Sequence, residues 1–279
     1  MKRILISLVA LLMLMPGSII ARQNWMKRVG ILRPVHPWHN ARVAYFGDSI
    51  TDPNNTGSKK KYWGFLQDYL DITPYVYGIS GREWNDIPRQ TAQLKAEHGN
   101  DVDAILIFCG TNDYNDHIPL GYWYEENDTM VYAATGQPKT LQHRRQRKLI
   151  ECDSTFRGRI NKAMHLLKTT YPQKQIVLLT PLHRGYFNAG DCNLQPDEHI
   201  CNAIGLFIDD YVNCIREAGS IWSVPVIDLY QLSGLLPLAQ GSITYHDNND
   251  LLHPNDTGHE RLARTLIYQL LTLPCQLVQ

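Results

Sequence analysis

The chain has 279 residues, of which 44% are hydrophobic and 19% charged, with 27 basic and 27 acidic side chains. A hydrophobic share this large with balanced charge excludes a disordered chain, and the low charge content excludes a coiled coil. A net charge of zero gives no support for a nucleic-acid or anionic-membrane partner, because such proteins usually carry a basic excess. A single α/β domain of this length is ordinary.

The N-terminal segment has the layout of a secretory signal peptide. Lys2 and Arg3 precede the apolar stretch from Ile4 to Met15, which ends at Pro16. Because this stretch is short for a membrane span, we predict cleavage after Ala21 and a periplasmic or secreted protein without stable membrane insertion. An uncleaved N-terminal anchor is the alternative. Without Lys2 and Arg3, 25 basic and 27 acidic groups remain, which gives a mature charge of −2.

Short apolar segments alternate with amphipathic segments along the rest of the chain. The apolar segments predict strands at residues 42–46, 75–77, 104–109, 175–180 and 224–229. Apolar residues at three- and four-residue intervals predict helices at residues 62–70, 86–98, 154–170, 197–218 and 257–273. Strands that are apolar throughout are typical of a parallel sheet with helices on both faces, so the alternation indicates one doubly wound α/β domain.

Residues 114–152 do not follow this alternation. They have no clear period, and they contain Tyr122-Trp123-Tyr124 and a basic run from His143 to Lys148, which we interpret as a solvated helix face. A connection of this length inside a compact domain is usually a lid, a binding loop or a small subdomain. We therefore predict a domain at residues 42–279 with an insertion at 114–152, preceded by an N-terminal extension at 22–41.

The six cysteines have two interpretations. Export would permit disulfides, and Cys192 and Cys201, which bracket a short polar loop, are the predicted pair. Cys109, Cys152 and Cys214 are expected to be small buried hydrophobic residues. The sequence contains no C-x-x-C or H-E-x-x-H motif, so we predict no metal and no cofactor.

Polar residues follow the first three predicted strands and precede the last predicted helix. Ser49 follows the first strand, Gly81 the second and Asn112 the third, while Asp250 and His253 lie just before the final helix. In open α/β sheets, ligands bind at the carboxyl ends of the strands. We therefore expect these residues to lie close together.

These side chains are the components of an acyl-transfer site. A serine hydroxyl needs a neighbouring base, and histidine has a suitable pKa near neutral pH. The histidine needs an acceptor on its other nitrogen, and Asp250, three residues before His253, can reach Nδ1 and leave Nε2 facing Ser49. The backbone N–H groups of Ser49 and Gly81 and the side-chain amide of Asn112 are the predicted donors to the oxyanion.

Four sequence blocks carry a family resemblance: Gly47-Asp48-Ser49, Gly78-Ile79-Ser80-Gly81, Gly110-Thr111-Asn112-Asp113 and Asp250-Leu251-Leu252-His253. In this order they resemble the SGNH subgroup of GDSL esterases and lipases, over most of the chain. The resemblance implies a flavodoxin-like, three-layer α/β/α fold with a five-stranded parallel sheet. It also implies carboxylic ester hydrolysis by the triad Ser49, Asp250 and His253, without metal, with Gly81 and Asn112 helping to form the oxyanion hole.

Several nearby residues have other interpretations. Tyr77 departs from the family pattern, where Asn is frequent, and this leaves Gly78 as an alternative oxyanion donor to Gly81. Asp48 is expected to hydrogen-bond the nucleophile turn and Asp113 to be structural. His246, with the adjacent Asp247, is expected to be solvated.

The sequence also suggests a substrate class. Predicted export, three aromatic residues near strand ends (Trp84, Tyr122 and Trp123) and the lack of a long apolar lid favour an esterase that removes small acyl groups, above all acetyl, from carbohydrate. We predict that these aromatic residues bind substrate, although core or loop packing explains them equally well. The alternatives are a lysophospholipase or arylesterase of the same fold, and a non-catalytic carbohydrate-binding protein.

Overall fold

The computed structural model describes residues 36–239 and 242–273. The predicted signal peptide and most of the predicted N-terminal extension lie outside these residues. The strands are β1 (Arg42–Gly47), β2 (Thr73–Val76), β3 (Ala104–Phe108), β4 (Tyr124–Ala133), β5 (Thr140–Leu149), β6 (Gln175–Leu179), β7 (Phe187–Asn188), β8 (Leu194–Gln195), β9 (Val226–Ile227), β10 (His246–Asp247) and β11 (Asp250–Pro254). The α-helices are α1 (Tyr62–Leu70), α2 (Ile87–His98), α3 (Thr111–Asn115), α4 (Phe156–Thr170), α5 (Ile208–Trp222), α6 (Leu229–Leu232) and α7 (Asp256–Thr272).

Five parallel strands form the central sheet, in the order β2-β1-β3-β6-β9. Strands β3 and β6 are buried along their whole length, and β1 is buried except at its first residue. Continuous burial follows from their uninterrupted apolar sequence, because both faces of the sheet are covered. The predicted doubly wound fold with a five-stranded parallel sheet is confirmed.

Helices cover both faces of the sheet. On one face, α2, α4 and α5 contribute Leu94, Ile160 and Tyr211 to a hydrophobic core. On the other face, α1 and α7 contribute Leu66 and Leu266 to a second core. The sheet is thus the middle of three layers.

The helices begin close to where the sequence predicts, except for α5. Helix α4 begins after Thr155, whose hydroxyl accepts from the N–H of Gly158, a standard N-cap interaction. Helix α5 begins at Ile208, so the prediction of a helix from residue 197 is wrong over its first half. Asn202 holds the preceding segment in turns, since its Oδ1 accepts from the N–H groups of Ile204 and Leu206.

The insertion is a β-hairpin in which β4 and β5 pair antiparallel, from Tyr124 opposite Leu149 to Ala133 opposite Thr140. The predicted helix face for the basic run is therefore wrong, because these residues lie on strand β5. Most residues on both faces of the hairpin are exposed, so the sequence lacks the alternation that marks a half-buried strand. At the base, Asn161 Nδ2 donates to the carbonyls of Trp123 and Ile150, each at 2.9 Å.

Cys192 and Cys201 are free and exposed, so the predicted disulfide is not formed. The turn between the short strands β7 and β8 carries Cys192, whereas Cys201 lies beyond β8. Cys109 and Cys214 are buried as expected, but Cys152 is only half-buried. Among the residues described, no helix is both long enough and apolar enough to cross a membrane.

Candidate active site

Three predicted side chains form a continuous hydrogen-bonded chain at the carboxyl edge of the central sheet. Ser49 follows β1, and Asp250 and His253 lie on β11. Ser49 Oγ lies 2.8 Å from His253 Nε2, and His253 Nδ1 lies 2.8 Å from Asp250 Oδ2. The other carboxylate oxygen of Asp250 accepts from the backbone N–H groups of His253 at 2.8 Å and Leu252 at 3.1 Å.

The hydrogen-bond partners determine which nitrogen of His253 carries the proton. A carboxylate only accepts, so Nδ1 donates to Asp250 and the neutral ring leaves Nε2 to accept from the Ser49 hydroxyl. Burial raises the pKa of Asp250, but hydrogen bonds from His253 and the backbone outweigh burial and lower the pKa below its ordinary value. Asp250 therefore stays ionised at neutral pH and holds the ring in this tautomer.

A tight turn after β1 presents Ser49. As predicted, Asp48 hydrogen-bonds this turn, since its Oδ1 accepts from the N–H of Ile50 at 3.1 Å. The Asp48 carbonyl accepts from the N–H groups of Thr51 and Asp52 at 3.1 and 2.9 Å. These bonds hold the Ser49 hydroxyl beside the imidazole.

Gly78 and Gly81 require glycine for different structural reasons. A Cβ at Gly78 would lie 2.7 Å from Thr51 Cβ, so this residue allows close packing against the nucleophile turn. Gly81 has φ +77°, and a Cβ there would meet open space. Asp52 Oδ2 anchors the same segment by accepting from Ser80 N and Oγ at 2.8 and 2.7 Å. Gly78 is buried whereas Gly81 is exposed, so the predicted donor Gly81 is the more accessible of the two.

The third block lies at the start of α3. Asn112 Nδ2 donates to the carbonyl of Arg82 at 2.9 Å, which fixes the orientation of the carboxamide beside the Gly81 segment. Asp113 is fully buried and accepts from Arg159 Nη1 at 2.8 Å. Asp113 is therefore structural, as predicted.

Comparison with known families identifies the chain. The model of the GDSL-like Lipase/Acylhydrolase family matches residues 45–261, which is more than half of the sequence. The chain belongs to this family. A search of curated proteins found no match.

Solved structures share the fold of this GDSL-family protein. A protein from Lactobacillus plantarum is 26% identical with a TM-score of 0.63, over 83% of this chain and 97% of that one. A protein described as a possible lipase from Chitinophaga pinensis is 18% identical with a TM-score of 0.61, over 82% and 97%. A lipase/acylhydrolase from Enterococcus faecalis is 16% identical with a TM-score of 0.50, over 83% and 95%.

The GDSL-family protein also contains a buried arginine that sequence reasoning missed. Arg184 donates to Thr111 Oγ1 at 3.1 Å and to Gln195 Oε1 at 2.6 Å, with its guanidinium 5.2 Å from the ring centre of Tyr114. Burial lowers the pKa of Arg184 to about 10 and raises the pKa of Asp48 to about 6. The two charged side chains line a narrow cavity together with Ile50, Phe108, Cys109, Thr111, Pro181, Leu182, His183 and Leu252.

The three predicted aromatic residues lie in different environments. Trp84 is fully buried, and its Nε1 donates to the carbonyl of Cys109 at 3.2 Å, so its predicted contact with substrate is wrong. Tyr122 is 79% exposed at the entry to the hairpin. Trp123 is half-buried and donates from Nε1 to Glu217 Oε2 at 2.7 Å. Only Tyr122 and Trp123 remain as predicted sugar contacts.

His246 and Asp247, the two polar residues of β10, lie in different environments. His246 is 1% exposed, so its predicted solvation is wrong, whereas Asp247 is exposed. Pairing of β10 with β11 places His246 opposite Pro254 and so draws it into the interior.

Proposed function

We propose that this GDSL-family protein is an exported serine esterase that removes small acyl groups, above all acetyl, from carbohydrate. The observation that carries the proposal is the hydrogen-bonded chain from Ser49 Oγ through His253 to Asp250, with 2.8 Å at each link. This chain combines a nucleophile, a base and the carboxylate that orients the base.

In the proposed reaction, Ser49 Oγ attacks the ester carbonyl carbon while His253 Nε2 takes the hydroxyl proton. The backbone N–H groups of Ser49 and Gly81 and the Asn112 amide stabilise the resulting oxyanion. One hydrogen of the Asn112 amide is bonded to Arg82, and the substrate oxygen takes the other. His253 then protonates the alcohol as the carbon–oxygen bond breaks.

Water completes the reaction. His253 takes a proton from the water, the resulting hydroxide attacks the acyl-enzyme, and the proton returns to Ser49 Oγ as the acid leaves. Asp250 remains ionised throughout and stabilises the imidazolium, consistent with its lowered pKa. No metal or cofactor takes part in any of these steps.

A narrow cavity beside the nucleophile turn supports a small acyl group. Asp48 and Ile50, the two sequence neighbours of Ser49, line it, and its volume of about 10 Å³ is the space of a single water molecule. A cavity this small cannot receive an acyl chain, so it gives a long-chain ester no apolar burial.

The hairpin entry supports a carbohydrate as the alcohol. The exposed face of Tyr122 provides a flat apolar surface of the kind that packs against a sugar ring. Export, predicted from the N-terminal sequence, would bring the protein into contact with extracellular polymers.

Hydrolysis of a short-chain aryl acetate by the wild-type protein and by Ser49→Ala tests the enzyme proposal. We expect turnover by the wild type, loss of turnover in Ser49→Ala, and full activity in the control Ser154→Ala, which changes an exposed serine. Equal hydrolysis by the wild type and Ser49→Ala would refute the serine mechanism, and absence of hydrolysis in both would favour the non-catalytic carbohydrate-binding protein.

A second assay tests the substrate class. Acetylated oligosaccharides, p-nitrophenyl esters of increasing acyl length and lysophospholipid are compared by released acid. We expect kcat/KM to be highest for acetyl esters and to fall as the acyl chain lengthens. A preference for long acyl chains would overturn the acetyl proposal in favour of a lysophospholipase.

A further inference from the structure

The predicted oxyanion donors lie on two segments that hydrogen bonds join. One is the loop from Gly81 to Trp84, and the other is the short helix α3 with Asn112. Besides the bond from Asn112 Nδ2 to the Arg82 carbonyl, Trp84 N donates to Asp113 Oδ2 at 3.1 Å. The relative position of the two segments therefore depends on Asp113 as well as on Asn112.

The guanidinium of Arg159 joins the same two segments. Arg159 Nη1 lies 2.8 Å from Asp113 Oδ1 and 3.0 Å from Glu83 Oε2. The three side chains are well shielded from water, with exposed fractions of 8% for Arg159, 0% for Asp113 and 13% for Glu83. Arg159 Nε donates to the carbonyl of Asp153 at 2.6 Å, which fixes the direction of the arginine.

A contribution to the free energy of unfolding does not explain the cluster of Arg159, Asp113 and Glu83. Buried ion pairs contribute little net stability, because desolvation offsets their attraction. Arg159 lies in the first turn of α4, where the helix dipole disfavours a cation. Burial raises the pKa of Asp113 to about 7, although the hydrogen bond from Arg159 opposes this shift. The position of these charges is explained by the two segments that they hold together, the Gly81–Trp84 loop and α3.

We propose that Arg159 is a positioning residue for the oxyanion hole. By bridging Glu83 and Asp113, it holds the Asn112 carboxamide against the Gly81 loop at the separation that the transition state requires. Arg159 itself does not contact the substrate. This inference rests on the proposed esterase function and adds to it a residue from α4, outside the four sequence blocks.

The main test is Glu83→Gln, which weakens one arm of the bridge and retains the Arg159–Asp113 pair. We expect kcat for an aryl acetate to fall about tenfold, because small displacements of catalytic donors are costly. KM should stay within about twofold, since ground-state binding does not use the oxyanion donors. Asp103→Asn is the matched control, because Asp103 pairs with Arg42 at the opposite edge of the sheet.

A double-mutant cycle separates positioning from a general structural effect. In an Asn112→Ala background, Glu83→Gln should lower kcat by less than about twofold, because the donor that it positions is already absent. Arg159→Lys, which keeps one cation between the two carboxylates, should retain more kcat than Arg159→Met. Melting temperatures of Glu83→Gln and the wild type should agree within a few degrees.

An equal loss of kcat from Glu83→Gln in both backgrounds would overturn the positioning role, as would a loss confined to KM. Wild-type kcat in Glu83→Gln, alongside hydrolysis that depends on Ser49, would refute the role of Arg159 alone. Absence of Ser49-dependent hydrolysis in the wild-type protein would instead refute the proposed function.

Discussion

Replacing Asp250 with asparagine tests the hydrogen-bonded chain with almost no change in shape. The asparagine side chain would keep one carbonyl oxygen, which can still accept from the N–H groups of Leu252 and His253 that now bond Oδ1. Its amide group would face His253 Nδ1, where Oδ2 now lies at 2.8 Å. An amide N–H donates, so Nδ1 would have to accept and the ring proton would move to Nε2.

This change of tautomer removes the base. Nε2 would then carry a hydrogen towards Ser49 Oγ, 2.8 Å away, and could no longer accept the hydroxyl proton. In serine hydrolases, the corresponding substitution lowers kcat by about 10⁴-fold. That factor corresponds to about 5.4 kcal/mol in the activation free energy.

The assay is steady-state hydrolysis of an aryl acetate at pH 7, with the melting temperature of each variant measured in parallel. Asp228→Asn is the matched control, because Asp228 is also a partly buried carboxylate but pairs with Arg216 instead of a histidine. We expect near wild-type kcat in the control, and a greater loss in His253→Ala than in Asp250→Ala. Retention of more than about a tenth of kcat by a folded Asp250→Asn would refute the tautomer argument.

Three further predictions concern residues around the nucleophile. Asn112→Ala should lower kcat by about 10²–10³-fold, through loss of one oxyanion donor, as measured in the same esterase assay. Gly78→Ala should lower the free energy of unfolding by up to about 3 kcal/mol, measured by urea denaturation, because the new methyl would lie 2.7 Å from Thr51 Cβ. Burial raises the pKa of Asp48 from 3.8 to about 6, so the folded protein binds more protons than the unfolded chain between these pH values and loses stability as the pH rises through them. Asp48→Asn should therefore gain stability relative to the wild type between pH 4 and pH 7, by up to about 3 kcal/mol in parallel urea denaturations.

Each of these predictions has a contradicting result. Less than about a threefold loss of kcat in Asn112→Ala would assign the oxyanion contact to other donors. Wild-type stability in Gly78→Ala would show that the nucleophile turn can move away from the new methyl group. A stability difference between Asp48→Asn and the wild type that does not change with pH would show that burial does not perturb the Asp48 carboxyl.

The sequence predicts the central sheet well, because the apolar pattern of its strands has one physical cause, burial on both faces of the sheet. The apolar run at residues 104–109 corresponds to β3 at Ala104–Phe108, and the amphipathic segment at 62–70 corresponds to α1 at Tyr62–Leu70. Residues buried on both faces of a sheet must be apolar throughout, and this pattern is visible without any contact information. The positions of Ser49 and His253 follow, since strand ends define the edge at which they meet.

Other features depend on tertiary contacts that the hydrophobic pattern of the sequence does not reveal. Trp84 follows a strand, as a site residue would, but a short 3-10 turn at Trp84–Asp86 turns its ring into the core. The hairpin is exposed on both faces, so its strands lack alternation. Arg159 appears in the sequence as a polar residue on an amphipathic helix, and its two carboxylate partners lie 46 and 76 positions earlier in the chain.

The link between Ser49 and His253 spans 204 positions of the chain. During synthesis from the N-terminus, the serine emerges long before the strand that carries its partner. The hydroxyl therefore remains an ordinary, weakly reactive alcohol until β11 has paired and α7 has closed over the sheet. Recovery of hydrolysis after dilution from denaturant would then report the arrival of β11 beside the nucleophile turn, whereas circular dichroism would report helix formation anywhere in the chain.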